Sequence, residues 1–343
     1  MTKIRVLVVD DSAFARKVLR EVLQDSEDIE VVGIARDGLD ALEKIVGLAP
    51  DVITLDLVMP ELDGLGVLRE LAGLSASPRV VIVTMTDEHS ELGVAALREG
   101  AFDLVHKPTA IATDRLYELG EELRAKVRAA ATATTRTAVD RASPVPALVG
   151  EVTADLVVIG ASTGGPQAVS RILASLPRSF PVPIAVVVHM PAGYTAALAA
   201  RLDGDCELDV AEASEGIELV TGRVVIARAG MHLKIVRGAD GTLRGKLDVV
   251  PMETPHRPAV DVLFATAAEA TGARTLGVVL TGMGNDGVEG AREIIARGGR
   301  VLTEAESSCV VYGMPRAVVE AGLSSGEAPL EKMTALVAAR LRS

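Results

Sequence analysis

Asp10 and Asp11 close the run Ile4-Arg5-Val6-Leu7-Val8-Val9, and Asp56 closes Val52-Ile53-Thr54-Leu55. In a parallel α/β sheet the carboxyl ends of the strands share one edge, so acids ending two buried strands crowd into one crevice. Such crowding calls for a cation. Hard oxygen ligands with open positions suit Mg²⁺, which accepts one or two carboxylates together with water and a phosphate. Asp56 is therefore a candidate phosphate acceptor. Thr84 closes Val80-Val81-Ile82-Val83, and Lys107 follows Phe102-Asp103-Leu104-Val105-His106, which brings a hydroxyl and an ammonium to strand ends where both can contact a phosphoryl group. Pro108 holds Lys107 extended and permits a cis bond that would aim the amine into the crevice.

A second reactive set lies further along the chain. Asp155-Leu156-Val157-Val158-Ile159 runs into Gly160-Ala161-Ser162-Thr163-Gly164-Gly165-Pro166 and then the helical spacing Ala168, Val169, Ile172, Leu173. Glycines allow close backbone approach, and free N–H groups at a helix start attract negative charge. Ser162 fits a nucleophile with oxyanion donors beside it, as in the nucleophile elbow of hydrolases, and it fits a plain helix cap equally well. A nucleotide loop fits poorly. There is no Gly-Lys-Ser/Thr, and the next strand, Ile184-Ala185-Val186-Val187-Val188, ends in His189 where a ribose-binding acid would stand. A neutral imidazole there can take a serine proton at physiological pH. Leu276-Gly277-Val278-Val279-Leu280 leads into Thr281-Gly282-Met283-Gly284-Asn285-Asp286-Gly287, so Asp286 can orient that imidazole or cap the helix starting near Gly287. His256, in a polar loop, is the rival base. Serine, histidine and aspartate on three strand ends of one edge meet the condition for a triad.

The elements that must carry these groups alternate strand and helix. In the first segment the βα unit repeats five times, with helical patterns such as Leu39, Leu42, Ile45 and Val46 expected to bury one face on the sheet. A chain of 343 residues is long enough for two domains, each with its own core. Hydrophobic residues at 49% and charged residues at 24% fit globular folding. Aromatics make up only 2% and the formal net charge is -12, so a base-stacking surface or a phosphate-binding basic face is not expected, and no nucleic-acid partner. Cys206 and Cys309 lack metal or disulfide spacing and read as small core residues. No signal segment and no long apolar span is apparent, so the protein is expected in the cytoplasm and not inserted in a membrane. The stretch 124–153, rich in Ala, Thr, Arg, Ser and Pro, reads as a linker between a domain at 1–123 and another at 154–343.

With these residues in place, two resemblances can be stated. Residues 1–123 resemble a two-component response-regulator receiver domain, through Asp10-Asp11, Asp56, Thr84 and Lys107 with Met59-Pro60 and Asp63-Gly64 behind the acceptor. The resemblance implies a (βα)5 parallel-sheet domain. It also implies phosphoryl transfer from a histidine kinase to Asp56, Mg²⁺ held by Asp10, Asp11 and Asp56, and phosphate sensing by Thr84 and Lys107. Residues 154–343 resemble the catalytic domain of the chemotaxis protein-glutamate methylesterase. The motifs are Gly160-Ala161-Ser162-Thr163-Gly164-Gly165, Val188-His189-Met190, His256-Arg257-Pro258-Ala259-Val260-Asp261, the Thr281–Gly287 turn and Cys309-Val310-Val311-Tyr312-Gly313-Met314-Pro315-Arg316. Ala227-Arg228-Ala229-Gly230-Met231-His232 departs from the Ala-Pro-Gly turn common in that family.

The second resemblance implies a doubly wound, mostly parallel α/β hydrolytic domain whose substrates are methyl-accepting chemoreceptors. Ser162 would attack the methyl ester of a modified glutamate, with His189 as base, Asp286 orienting it, and Thr163 and Met283 holding the oxyanion. It also implies deamidation of receptor glutamines, and the esterase reaction needs no cofactor. In such an arrangement the unphosphorylated receiver is expected to cover the Ser162 crevice, and phosphorylation to expose it. The alternative function is a receiver-controlled, non-catalytic module that binds an anionic ligand at its glycine turns.

Overall fold

A computed structural model describes residues 3–74, 77–85, 90–107, 113–132 and 152–342, with backbone only for 113–118. The cis bond considered at Pro108 and the part of the linker from 133 to 151 lie outside the described residues. The chain divides into two compact units, Met1–Thr135 and Arg136–Ser343.

The first unit alternates β1 (Ile4–Val9), α1 (Ala13–Gln24), β2 (Ile29–Ala35), α2 (Gly38–Leu48), β3 (Val52–Leu55), α3 (Gly64–Ala72), β4 (Arg79–Thr84), α4 (Ser90–Arg98), β5 (Asp103–His106) and α5 (Thr113–Thr132). Its strands pair in the order β2-β1-β3-β4-β5, all parallel. The expected (βα)5 unit is present. Val6–Val9 and Val52–Leu55 are buried, as strands covered by helices on both faces must be. Short polar residues start the helices: Ser12, Asp37 and Asp63 accept N–H groups of Ala15, Asp40 and Gly66, caps worth about 1 kcal/mol each. In α2, however, the buried stripe is Gly38, Ala41 and Ile45, while Leu39 and Val46 are 56% and 81% exposed. Counting large apolar residues misplaces the face because the small Gly38 is what the helix buries at its start, where a methyl group would lie 2.4 Å from Leu62 O and 2.8 Å from Val67 Cγ2.

The second unit contains β6 (Leu156–Ala161), α6 (Gly165–Ala174), β7 (Ile184–Val188), α7 (Tyr194–Asp205), β8 (Asp209–Glu212), β9 (Arg223–Ile226), β10 (His232–Arg237) and β11 (Leu243–Asp248). There follow α8 (Val260–Thr271), β12 (Thr275–Val279), α9 (Val288–Ala296), β13 (Arg300–Glu304), α10 (Met314–Glu320), β14 (Glu327–Ala328) and α11 (Leu330–Arg340). A seven-stranded sheet runs β14-β13-β12-β6-β7-β9-β8, every pair parallel, and β10 and β11 form a separate antiparallel hairpin. The chain leaves β6 for β7 on one side and later returns to β12 on the other. That reversal opens a crevice at the carboxyl end of β6, where doubly wound sheets bind ligands.

The core is aliphatic. Val158, Val187, Val225, Val279 and Val301 of the sheet meet Val260, Leu263, Phe264 and Ala267 of α8, all fully buried, and each such large side chain contributes about 1.5–3 kcal/mol. Among the described residues no helix is long and apolar enough to cross a membrane. Cys206 and Cys309 form no disulfide among the described residues and are only partly buried, so neither is the core residue expected.

Candidate functional site

The reversal point gathers the three residues of the second set. Gly160 and Ala161 of β6 pair with Val187 and Val188 of β7, and Gly160 pairs with Val279 of β12. The residues just beyond these pairs are Ser162, His189 and the Thr281–Gly287 turn. Backbone bonds lock the junction: the His189 N–H donates to Ala161 O at 3.1 Å, and the Ser162 N–H donates to Thr281 O at 3.0 Å. The turn after Ser162 needs Gly164, which holds φ 76° at the start of α6. Gly282 is required for a different reason. A methyl group there would lie 2.8 Å from the Ser162 Cβ and 2.4 Å from the Met314 sulfur, so only glycine lets the turn close over the serine.

His189 Nε2 and Asp286 Oδ2 are 2.8 Å apart, and because an ionised carboxylate only accepts, Nε2 carries the proton. The other ring nitrogen, Nδ1, is buried and has no hydrogen-bond partner. No hydrogen bond joins it to Ser162, whose hydroxyl, partly exposed, makes none to the described residues. The structure thus brings His189 and Asp286 into contact and sets Ser162 on the adjoining strand end, with the proton-accepting nitrogen left over. The Thr163 and Met283 N–H groups likewise donate to no carbonyl among the described residues. Thr163 is fixed from its other side, where its carbonyl accepts the Thr281 hydroxyl at 3.0 Å.

Burial opposes the charge on Asp286, but the His189 hydrogen bond and the N–H groups of Asp261 and Val260 outweigh it and hold the carboxyl below its usual range. Those N–H groups, at 2.9 Å and 2.8 Å, open α8. Asp286 therefore does cap a helix, but not the one it precedes. The start of α9 is held instead by Asp261, whose Oδ1 accepts the N–H groups of Gly287 at 2.9 Å and Gly290 at 2.8 Å. Burial first, then the charge of Asp286, raises the Asp261 carboxyl.

Two further contacts were not expected. The His256 ring stacks on His189 with centroids 4.0 Å apart and 25° between planes, so the rival base covers the first one. Glu304, fully buried at the end of β13, accepts the Thr281 N–H at 2.9 Å and the Ser308 hydroxyl at 2.8 Å, and so pins the turn that carries Asp286. An acid closing the run Val301-Leu302-Thr303 is the signal that singled out Asp56, and it would have found Glu304. The departing segment at 227–232 forms a turn with Gly230 at φ 85°, its N–H donating to Arg257 O at 2.9 Å.

His232 follows that turn and is fully buried. Its Nδ1 accepts the Ala259 N–H at 3.2 Å and its Nε2 lies 2.9 Å from Pro251 O, an arrangement that requires the neutral, Nε2-protonated ring. Burial pushes its pKa down, against the Pro251 hydrogen bond. The unfolded chain, at about 6.5, therefore takes up the proton first, and stability is lost as pH falls below that value. We expect the melting temperature to drop between pH 7.5 and 5.5, and less steeply for His232→Gln, whose amide can make both bonds. Parallel pH profiles for the two proteins would exclude this role.

In the first unit, Asp10, Asp11 and Asp56 have carboxylate oxygens all within 4.8 Å of one another. Lys107 Nζ stands 2.5 Å from Asp10 Oδ2 and 2.6 Å from Asp56 Oδ2, and the buried Thr84 closes the neighbouring strand β4. The Asp10 carboxyl is raised by burial, against the pull of Lys107. Three carboxylates facing one ammonium leave two negative charges uncompensated, and hard oxygen donors of this kind fit a divalent cation of the Mg²⁺ type. All five residues singled out in this segment lie at one sheet edge.

Comparisons with known proteins agree with this division. Residues 157–337 match the CheB methylesterase family, and residues 6–118 match the response regulator receiver domain. A protein-glutamate methylesterase/protein-glutamine glutaminase of Myxococcus xanthus is 60% identical, over 100% of this chain and 99% of its own length. Its counterpart of the same name in Thermotoga maritima is 40% identical, covering 96% of each chain. The crystal structure of the Thermotoga maritima CheB methylesterase catalytic domain superposes with a TM-score of 0.53 at 42% identity, over 54% of this chain and 98% of the other.

Proposed function

The chain belongs to the CheB methylesterase family, with a response-regulator receiver domain ahead of the catalytic domain, and from that premise we propose that Ser162, His189 and Asp286 carry its hydrolysis. The protein is a protein-glutamate methylesterase and protein-glutamine glutaminase serving chemotaxis adaptation under control of phosphorylation. The observation that carries the assignment of residues is the 2.8 Å bond from His189 Nε2 to Asp286, with Nδ1 unpartnered at the strand end beside Ser162.

In this reading His189 Nδ1 takes the Ser162 proton as the Ser162 oxygen attacks the γ-carbonyl carbon of a glutamate methyl ester on a chemoreceptor. The resulting oxyanion accepts hydrogen bonds from the Thr163 and Met283 N–H groups, while Asp286 stabilises the imidazolium. Collapse breaks the bond to the methoxy group, which leaves as methanol with the proton from His189. Water, deprotonated by His189, then attacks the acyl-serine and frees glutamate and Ser162. A glutamine side chain follows the same steps with ammonia as leaving group. The esterase steps use only the chain's own residues.

In the receiver, Asp56 accepts the phosphoryl group of a histidine kinase, and Thr84 and Lys107 contact it once bound. Asp10, Asp11 and Asp56 would hold Mg²⁺, whose charge offsets that of the transferring phosphoryl group. We place domains at 1–123 and 154–343 with a linker at 124–153, and the protein in the cytoplasm, where a kinase and the receptors' signalling ends are accessible. The test is methanol release from methylated receptor membranes, with and without a small phosphodonor. Release that rises with the phosphodonor supports the reading, and none under either condition refutes it. A chelator is expected to abolish labelling of Asp56 by the phosphodonor without lowering unstimulated methanol release. Undiminished labelling would remove the cation.

A further inference from the structure

We propose that Asp261 is a positioning residue of the esterase: by capping the helix behind Asp286, it holds the Asp286 carboxylate on His189. The proposal rests on the triad assignment above. Its basis is a reciprocal exchange between two helix starts. The residues at the N-caps of α8 and α9, Ala259 and Gly287, make no side-chain cap bond of their own. Each helix is capped instead from the other. Asp286, just before α9, accepts the N–H groups of Val260 and Asp261 at the start of α8, and Asp261 accepts those of Gly287 and Gly290 at the start of α9.

The consequence for the site follows from which oxygens are used. Asp286 Oδ2 is shared between His189 Nε2 and the Val260 N–H, both at 2.8 Å, so any shift of the backbone at 286–287 relative to α8 moves the carboxylate on the imidazole. Asp261 Oδ1 is the side-chain link that ties that backbone down, through Gly287, the next residue. The helices also touch closely there: a methyl group on Gly290 would lie 2.5 Å from the Phe264 Cβ and 2.9 Å from Asp261 O. Among the described residues the Asp261 carboxylate accepts its hydrogen bonds from Gly287 and Gly290 and not from Ser162 or His189, so its influence passes through Asp286. Burial and the neighbouring charge raise the Asp261 carboxyl while the Gly287 and Gly290 N–H groups pull the other way, and both of those bonds end on the one acceptor oxygen, Oδ1.

Asparagine supplies that oxygen without the charge, and alanine does not. In the full-length protein, Asp261→Ala should lower kcat for methanol release by about tenfold to a hundredfold with KM within about twofold, the scale of a slightly misplaced catalytic group. Asp261→Asn should keep kcat within about threefold. The downfield NMR resonance of the His189 Nε2 proton should persist in Asp261→Asn and shift or exchange away in Asp261→Ala. Full kcat in folded Asp261→Ala, or equal losses in both variants, would overturn the proposal. Should Asp261→Ala fail to fold, Asp261→Glu takes its place, its carboxylate displaced by one methylene: a lowered kcat with a shifted resonance is expected, and full kcat overturns. Ser162→Ala run alongside separates the two readings, because activity surviving that change defeats the triad itself, whereas an unaffected Asp261→Ala in a Ser162-dependent enzyme defeats only the positioning role.

Discussion

Ser162→Ala should lower methanol release from methylated receptor membranes on the order of 10⁴- to 10⁶-fold, leaving the residual catalysis that binding and the oxyanion donors supply. At about 1.4 kcal/mol per factor of ten, that is roughly 5–8 kcal/mol of lost transition-state stabilisation. Unfolding would not be the cause. The Ser162 hydroxyl is partly exposed and makes no hydrogen bond to the described residues, so its removal strands no buried partner and leaves the backbone bond to Thr281 in place. A melting temperature within a few degrees of the parent, with methanol release lost, is the expected pair of results. The contrasting reading, a receiver-controlled anion-binding module, predicts that the variant keeps its function. Release within tenfold of the parent would remove Ser162 as nucleophile and leave that reading in possession.

The same logic explains which parts of the site were legible in the sequence. Ser162, His189 and Asp286 each follow a buried apolar run, and a parallel sheet turns that one-dimensional signal into a shared edge. The pairing of Ala161 with Val188 and of Gly160 with Val279 is the physical content of the expectation. Both folds were legible for the same reason, since short runs rich in β-branched residues and bounded by turn residues, such as Val157–Ile159 and Val6–Val9, fit strands covered on both sides. Asp10, Asp11, Asp56, Thr84 and Lys107 are read by the same rule.

Other features have no such signal because they depend on contacts between elements distant in the chain. Nothing near Asp286 indicates that it caps α8 and leaves α9 to Asp261; local spacing suggested the adjacent helix, and the observed partners are set by how α8 and α9 pack. His256 was read as a competitor of His189, whereas the fold lays one ring on the other. His232 enters the sequence reading only as the end of the segment departing from the family's turn, and its burial against Ala259 and Pro251 is what gives it a task. In α2 the error was of another kind: counting large apolar residues placed Leu39 and Val46 inside, although the buried stripe is Gly38, Ala41 and Ile45, with Gly38 packed closely on Leu62 and Val67.

Asp56→Asn should abolish the stimulation of methanol release by a small phosphodonor, bringing the ratio of stimulated to unstimulated rates to about one. An amide has no anionic oxygen with which to form the acyl phosphate. The ammonium of Lys107 hydrogen-bonds Asp56 at 2.6 Å and lies 2.5 Å from Asp10, and a phosphoryl group on Asp56 would add charged acceptors beside it. Phosphorylation is in this sense a local rearrangement of charge at the ends of β3, β4 and β5, and it can shift only an equilibrium that the protein already samples. A bias of about 1.4 kcal/mol changes the ratio of a less active to a more active state tenfold, so a modification that supplies that bias would yield stimulation of that order. Rates should be compared in the full-length protein as a ratio for each variant, which cancels any effect of the substitution on the unstimulated enzyme. If Asp56→Asn were stimulated as strongly as its parent, the phosphoryl group would act elsewhere and the link between the two sites would be lost, although the hydrolytic chemistry at Ser162 would stand.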